Sequence, residues 1–148
     1  MDLGLIELDL AAETSRDVIA VLGEKMLENG YVKNSYIDAV IEREKNLPTG
    51  LDLGNFSVAI PHTKAEHVIS SHIAIAVLRR PVVFYSMINQ TEKLQVDLVL
   101  LLAINDPEGQ VCLLKKLMGI FQNKVLLQKI KAAKEKQEIV ELLGTVAL

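Results

Sequence analysis

The chain has 148 residues, 50% of them hydrophobic, enough to bury a substantial core in one domain without staples or metals. Lys and Arg number 16 against 19 Asp and Glu, a net charge of −3, and no basic stripe is visible, which argues against a nucleic-acid partner. Cys112 is the only cysteine, which excludes an intramolecular disulfide and a Cys-rich zinc site.

The opening "MDLGLIELDL" carries acids where an export signal needs Lys or Arg, so a cytoplasmic protein is expected. "TSRDVIAVLGEKMLENG" predicts a helix with a Thr14/Ser15 cap, Asp17 three residues after Thr14, an inward stripe of Val18, Leu22 and Met26, and a stop at Asn29-Gly30. A second helix is expected from Asn34 or Ser35, with Ile37, Val40 and Ile41 inward, ending at Leu47 before Pro48. "PTGLDLGNF" reads as a loop, and "FSVAI" as a short strand terminated by Pro61.

"SHIAIAVL" is apolar on both alternating faces and predicts a central strand, with "RRPVVFY" as a separate edge strand because of Pro81. "VDLVLLLAI" is another doubly covered strand, too short to span a bilayer. "NDPEGQ" reads as a turn before a helix over 110–122, with Leu113, Leu114, Leu117, Ile120 and Phe121 inward and Cys112 as a buried thiol. Asn123 then caps "KVLLQKIKAA", whose lysines form a solvated face, and "KEKQEIVELLG" closes the chain as a last helix. The expected fold is α/β: one domain over 1–148, a small mixed β-sheet covered by helices on both faces.

Three histidines are candidates for chemistry: His62, His67 and His72. Their spacing of five suits neither one helical face nor one side of a strand, and no metal or other cofactor is expected. His72 reads as a hydrogen-bonded structural imidazole inside a strand, and His67 as an exposed loop or helix residue. His62 lies just past a strand end, where a sheet fixes the backbone, loops leave the ring accessible, and ligands bind in open α/β sheets. Pro61 holds Ile60 extended and Thr63 adds a hydroxyl beside the ring. A neutral imidazole there has one nitrogen free to attack an electrophile.

"REKNLPTGLDLGNFSVAIPHT" resembles the IIA domains of the fructose–mannitol family of the bacterial sugar phosphotransferase system. The ordered elements are Arg43 and Glu44 at a helix end, then Pro48, Thr49 and Gly50, then a strand ending in Pro61 and His62. "LVLLLAINDPEGQVCLLKKLMGIFQN" fits the family's later strand–turn–helix segment, so the resemblance covers nearly the whole chain as a type 2 IIA domain. It implies that His62 accepts a phosphoryl group from the phosphohistidine of HPr and passes it to a cysteine of a IIB subunit. Arg43 would then clamp the phosphoryl oxygens, or else pair with acids of its own helix. Thr49 and Thr63 are candidate hydroxyl donors, Thr49 being equally able to stabilise its own turn. Glu44 would act behind these residues.

Mannitol-type members carry a second histidine where this chain has Gln110, a residue that can donate a hydrogen bond but carries no charge. Charge stabilisation would then fall on Arg43 and on backbone N–H groups, such as those opening the 110–122 helix. The absent histidine, with "FSVAIPHT" and "LLKKLMGIFQ", is more similar to the galactitol-type branch and implies a polyol or related sugar. HPr and IIB would dock in turn on one modest apolar face around His62, to which Leu51, Leu53 and Phe56 contribute unless they are core. A stand-alone regulatory module, whose phosphorylation reports nutrient supply, is the alternative reading.

Overall fold

A computed structural model describes residues 2–144. Its ordered elements are β1 (Ile6–Leu10), α1 (Ser15–Glu28), α2 (Tyr36–Asn46), β2 (Gly50–Asp52), β3 (Ser57–Ala59), β4 (His72–Tyr85), β5 (Lys93–Ala103), α3 (Pro107–Phe121), α4 (Lys124–Ala132) and α5 (Lys136–Leu143). The strands form one mixed sheet in the order β1-β4-β5-β3-β2. β1 runs parallel to β4 and β3 parallel to β5, while the β4–β5 and β2–β3 pairs are antiparallel.

Alternation along the central strands creates two cores. Ala74, Ala76, Val99 and Leu101 face Val18, Leu22 and Met26 of α1 and Tyr36 and Val40 of α2. Ile73, Ile75, Val77, Leu98 and Leu100 face the other way, onto Leu113, Leu117 and Phe121 of α3, Leu127 and Ile130 of α4, and Ile139 of α5. Apolar residues on both strand faces are thus covered on both sides, as the α/β reading requires.

The helix caps follow the chemistry of their first residues. Thr14 accepts from the Asp17 N–H at 3.1 Å and the Asp17 carboxylate accepts from the Thr14 N–H at 3.2 Å, a reciprocal capping box. Asn123 accepts from the Leu126 N–H at the start of α4.

Several expectations need correction. "IELDL" is a strand, the edge partner of β4. "PTGLDLGNF" is not a free loop: residues 50–52 pair with 57–59 as a hairpin turned at Gly54, whose φ of 101° suits a glycine. "SHIAIAVL" and "RRPVVFY" are one continuous strand. Val77 pairs with Leu98 and Val82 with Val96, so residues 78–81 stand opposite Asp97 alone. Pro81 lies in that bulge, where no ladder donor is needed, and the strand bends instead of ending.

α3 begins at Pro107, not at Gln110, because Asp106 caps it and accepts from the Glu108 and Gly109 N–H groups. Its inward stripe is Leu113, Leu117 and Phe121, which turns the adjacent Cys112 out to solvent, so the thiol is not buried. Among the described residues no helix is long and apolar enough to cross a membrane.

Candidate phosphoryl-transfer site

The site is built where the ends of α2, β2 and β3 meet. Tyr36, at the start of α2, is fully buried and donates its hydroxyl to the Leu102 carbonyl at 2.7 Å, fixing the helix against the central strand β5. The last turns of α2 carry Arg43 and Glu44, and the chain then passes through Pro48 into β2.

Glu44 binds the entrance to β2 twice. One carboxylate oxygen accepts from the Thr49 N–H at 2.8 Å and the other from the Thr49 hydroxyl at 2.7 Å. Burial pushes the Glu44 carboxyl up to about 7, against the opposing pull of the Thr49 bonds and the nearby Arg43 charge. The Thr49 hydroxyl also accepts from the Ile60 N–H at 3.2 Å, and the Thr49 carbonyl shares that N–H at 3.4 Å. A hydroxyl has one proton, and this one is committed to Glu44. Thr49 therefore ties the α2 end to the β3 end, the turn-stabilising alternative of its two readings.

His62 follows at the end of β3. The Pro61 carbonyl before it accepts from the Leu102 N–H at 3.0 Å, which pins the backbone to β5. Its ring Nδ1 lies 2.7 Å from the Ile60 carbonyl. A carbonyl only accepts, so Nδ1 carries the proton and Nε2 holds the free electron pair. Burial lowers the imidazole below its usual range, the Ile60 carbonyl raises it, and the positive charge of Arg43 lowers it again. The ring is neutral at pH 7.

The expectation of an open ring at the sheet rim is too generous. His62 retains 5% exposure, and Pro61 and Thr63 are buried with it. It is not sealed, however. Among the described residues Arg43 Nε is the one fully buried side-chain nitrogen or oxygen without a hydrogen-bond partner. Nε2 of His62 and the Thr63 hydroxyl also have no protein partner, and so they keep contact with solvent.

Arg43 makes no ion pair among the described residues, with acids of its own helix or any other. An unpaired buried donor costs roughly 1–3 kcal/mol, more when it is charged. A guanidinium held in that condition beside a neutral imidazole suits an anionic guest that supplies the missing acceptor.

The other candidates take different environments. Gln110 lies one turn inside α3, half-buried, its side chain without a partner. The helix start that would have offered N–H groups to an anion is already filled by the Asp106 carboxylate, which corrects that expectation. Leu51 and Phe56 are core, and Leu53 packs against them. His72 accepts or donates to Ser70 at 3.1 Å and stacks on Tyr31 with 3.6 Å between ring centres. His67 is half-buried in a short helical turn and bonds Ser35 at 2.8 Å. Among the described residues no three His, Cys, Asp or Glu side chains are placed to hold a metal.

The Glu44–Thr49–Ile60 linkage is what sequence reasoning missed. Its signal was present only as the order of Glu44 and Thr49, five residues apart across a helix end.

Comparison with known proteins adds an independent line. Residues 1–145 match the family described as "Phosphoenolpyruvate-dependent sugar phosphotransferase system, EIIA 2". The galactitol-specific EIIA component of Escherichia coli K12 is 32% identical over 123 residues, covering 82% of this chain and 80% of that protein. The crystal structure of IIA mannitol from Escherichia coli superposes with a TM-score of 0.81 at 24% identity, covering 97% of this chain and 98% of that one. The Escherichia coli complex of enzyme IIAMTL and phosphorylated enzyme IIBMTL gives a TM-score of 0.79 at 24% identity, covering 97% and 96%.

Proposed function

Because the chain belongs to the EIIA type 2 family of the phosphoenolpyruvate-dependent sugar phosphotransferase system, and is thus a phosphotransfer component, we propose that His62 is its phosphoryl acceptor and Arg43 the clamp on the phosphoryl oxygens. The observation that carries this reading is the buried, unpartnered Arg43 Nε close to a neutral ring whose Nδ1 is held by Ile60.

The reaction then proceeds in two displacements. Nε2 of His62 attacks the phosphorus of the phosphohistidine on HPr, in line with the breaking bond. The donor N–P bond breaks and its electron pair returns to the donor ring, which leaves as neutral imidazole because its other nitrogen is protonated. His62 now carries the phosphoryl group on Nε2 as an imidazolium, its Nδ1–H still bonded to the Ile60 carbonyl. A cysteine thiolate of a IIB subunit next attacks the phosphorus, and the Nε2–P electron pair returns to His62. Such transfers need positioning and charge compensation more than covalent help. Arg43 supplies the charge, and the Thr63 hydroxyl and the Gln110 amide are further donors to the equatorial oxygens. The likeness to a galactitol-specific component supports a polyol or related sugar as the eventual cargo.

Incubation with the general phosphotransferase proteins, phosphoenolpyruvate and the purified chain tests the assignment. Acid-labile, base-stable phosphate is expected on His62, and onward transfer to a IIB protein should discharge it. A His62→Ala variant labelled as fully as wild type removes the assignment.

A further inference from the structure

We propose that Glu44 is a positioning residue for phosphoryl transfer, acting through the Thr49 side chain and the Ile60 backbone to keep the His62 ring in the tautomer that presents a free Nε2. The proposal rests on the reading of His62 as acceptor.

Four contacts make the linkage. Glu44 accepts from the Thr49 N–H at 2.8 Å and from the Thr49 hydroxyl at 2.7 Å, the hydroxyl accepts from the Ile60 N–H at 3.2 Å, and the Ile60 carbonyl accepts from His62 Nδ1 at 2.7 Å. An amide N–H only donates, so the hydroxyl must accept from Ile60, and with Glu44 ionised its proton goes to Glu44. Both Glu44 oxygens then serve as acceptors, the role of a carboxylate. Ile60 is tethered at its N–H by Thr49 and restricted toward extended geometry by Pro61. Its carbonyl has little freedom left, and that carbonyl selects the His62 tautomer.

Protonating Glu44 puts a donor where two donors already point. The surroundings offer that proton little relief. Arg43 and Lys45 flank Glu44 on its own helix, and Arg16 of α1 and Tyr85 of β4 line with Glu44 and Lys45 one cavity of about 330 Å³. The Arg43 charge acts on both Glu44 and His62. Burial pushes the Glu44 carboxyl up to about 7, so the linkage is switched by pH near neutrality.

The experiment measures phosphate uptake from phosphorylated HPr between pH 6 and 8, with ring nitrogen chemical shifts of His62 recorded on the unphosphorylated protein. In the full-length wild type, uptake should fall about tenfold from pH 8 to pH 6, the factor expected for a required carboxylate titrating near 7. In Glu44→Gln, uptake at pH 8 should drop about tenfold or more, the dependence above pH 6.5 should vanish, and His62 should show a larger share of the Nε2–H tautomer. Thr49→Val breaks the same linkage nearer to Ile60 and should behave alike, which keeps the test decisive should the Glu44 variant fail to fold. Thr49→Ser should restore the wild-type profile and shifts.

A Glu44→Gln protein whose uptake drops by one factor at every pH, with His62 shifts unchanged, overturns the proposal and leaves Glu44 a structural residue. So does a Glu44→Gln profile that superposes on wild type. If wild-type protein takes no phosphate on His62, the acceptor reading fails instead, while the nitrogen shifts still decide whether Glu44 governs the tautomer.

Discussion

At the scale of single residues, the proposed chemistry depends on one proton staying on His62 Nδ1. In that proposal the same proton would stabilise a phosphorylated ring as an imidazolium through Ile60, and on discharge it would remain where it was. Because burial is the first cause of the lowered imidazole value, His62 should titrate below the ordinary 6.5, followed by its ring proton signals between pH 4 and 8. A value above 6.5 would mean that the ring is solvated and its site open. Arg43→Lys keeps a charge but loses the planar fork and the buried Nε, so phosphate uptake should fall by about 10²-fold, the usual cost of one well-placed donor. The candidate residues were legible from the order of Arg43, Glu44, Thr49 and His62. What the order could not reveal was direction: the Thr49 hydroxyl faces Glu44 and Ile60, a fact set by how α2 ends above β3.

At the scale of elements, the sheet holds the site and the helices aim at it. Tyr36→Phe removes the 2.7 Å bond to Leu102 and strands a buried carbonyl, which should cost about 1–3 kcal/mol in urea unfolding. Gly50→Ala tests a different contact. A Cβ there would lie 2.5 Å from the Tyr85 carbonyl oxygen, so the β4 end must shift off β2, and a loss of about 1–3 kcal/mol is expected from overpacking. The long amphipathic helices and doubly apolar strands were legible from periodicity, and in α1 and α4 the caps agree with it as well. The short strands were not. Residues 50–52 carry a glycine and an aspartate, which read as turn chemistry, and they are strands only because β3 pairs with them. Pro81 predicted a strand end, whereas the bulge opposite Asp97 absorbs it.

For the molecule as a whole, Glu44 and His62 pull stability in opposite directions with pH. Glu44 is raised from 4.5 to about 7 in the fold, so its contribution is complete below about 4.5 and is lost as pH rises through 7. His62 is lowered, so its contribution is present above 6.5 and is lost as pH falls through its folded value. Above pH 6.5 only the Glu44 loss operates, and the urea midpoint should decline between pH 6.5 and 8 in wild type but stay level in Glu44→Gln. The carboxylate form that the proposed linkage requires is thus the form that weakens the fold. Two-sided coverage of a mixed sheet was legible in the doubly apolar strands. The strand order was not, because pairings such as β1 with β4 join residues 68 or 69 positions apart and leave no local trace.

The strand order also fixes when the protein can become competent. β5, the middle strand, is the last of the described strands to leave the ribosome, and both β3 and β4 pair with it. A nascent chain that has emerged through His62 has both Arg43 and the imidazole yet nothing to brace Pro61, since Leu102 has not yet emerged. Competence therefore arrives late and all at once, and unfinished chains should be silent in the relay.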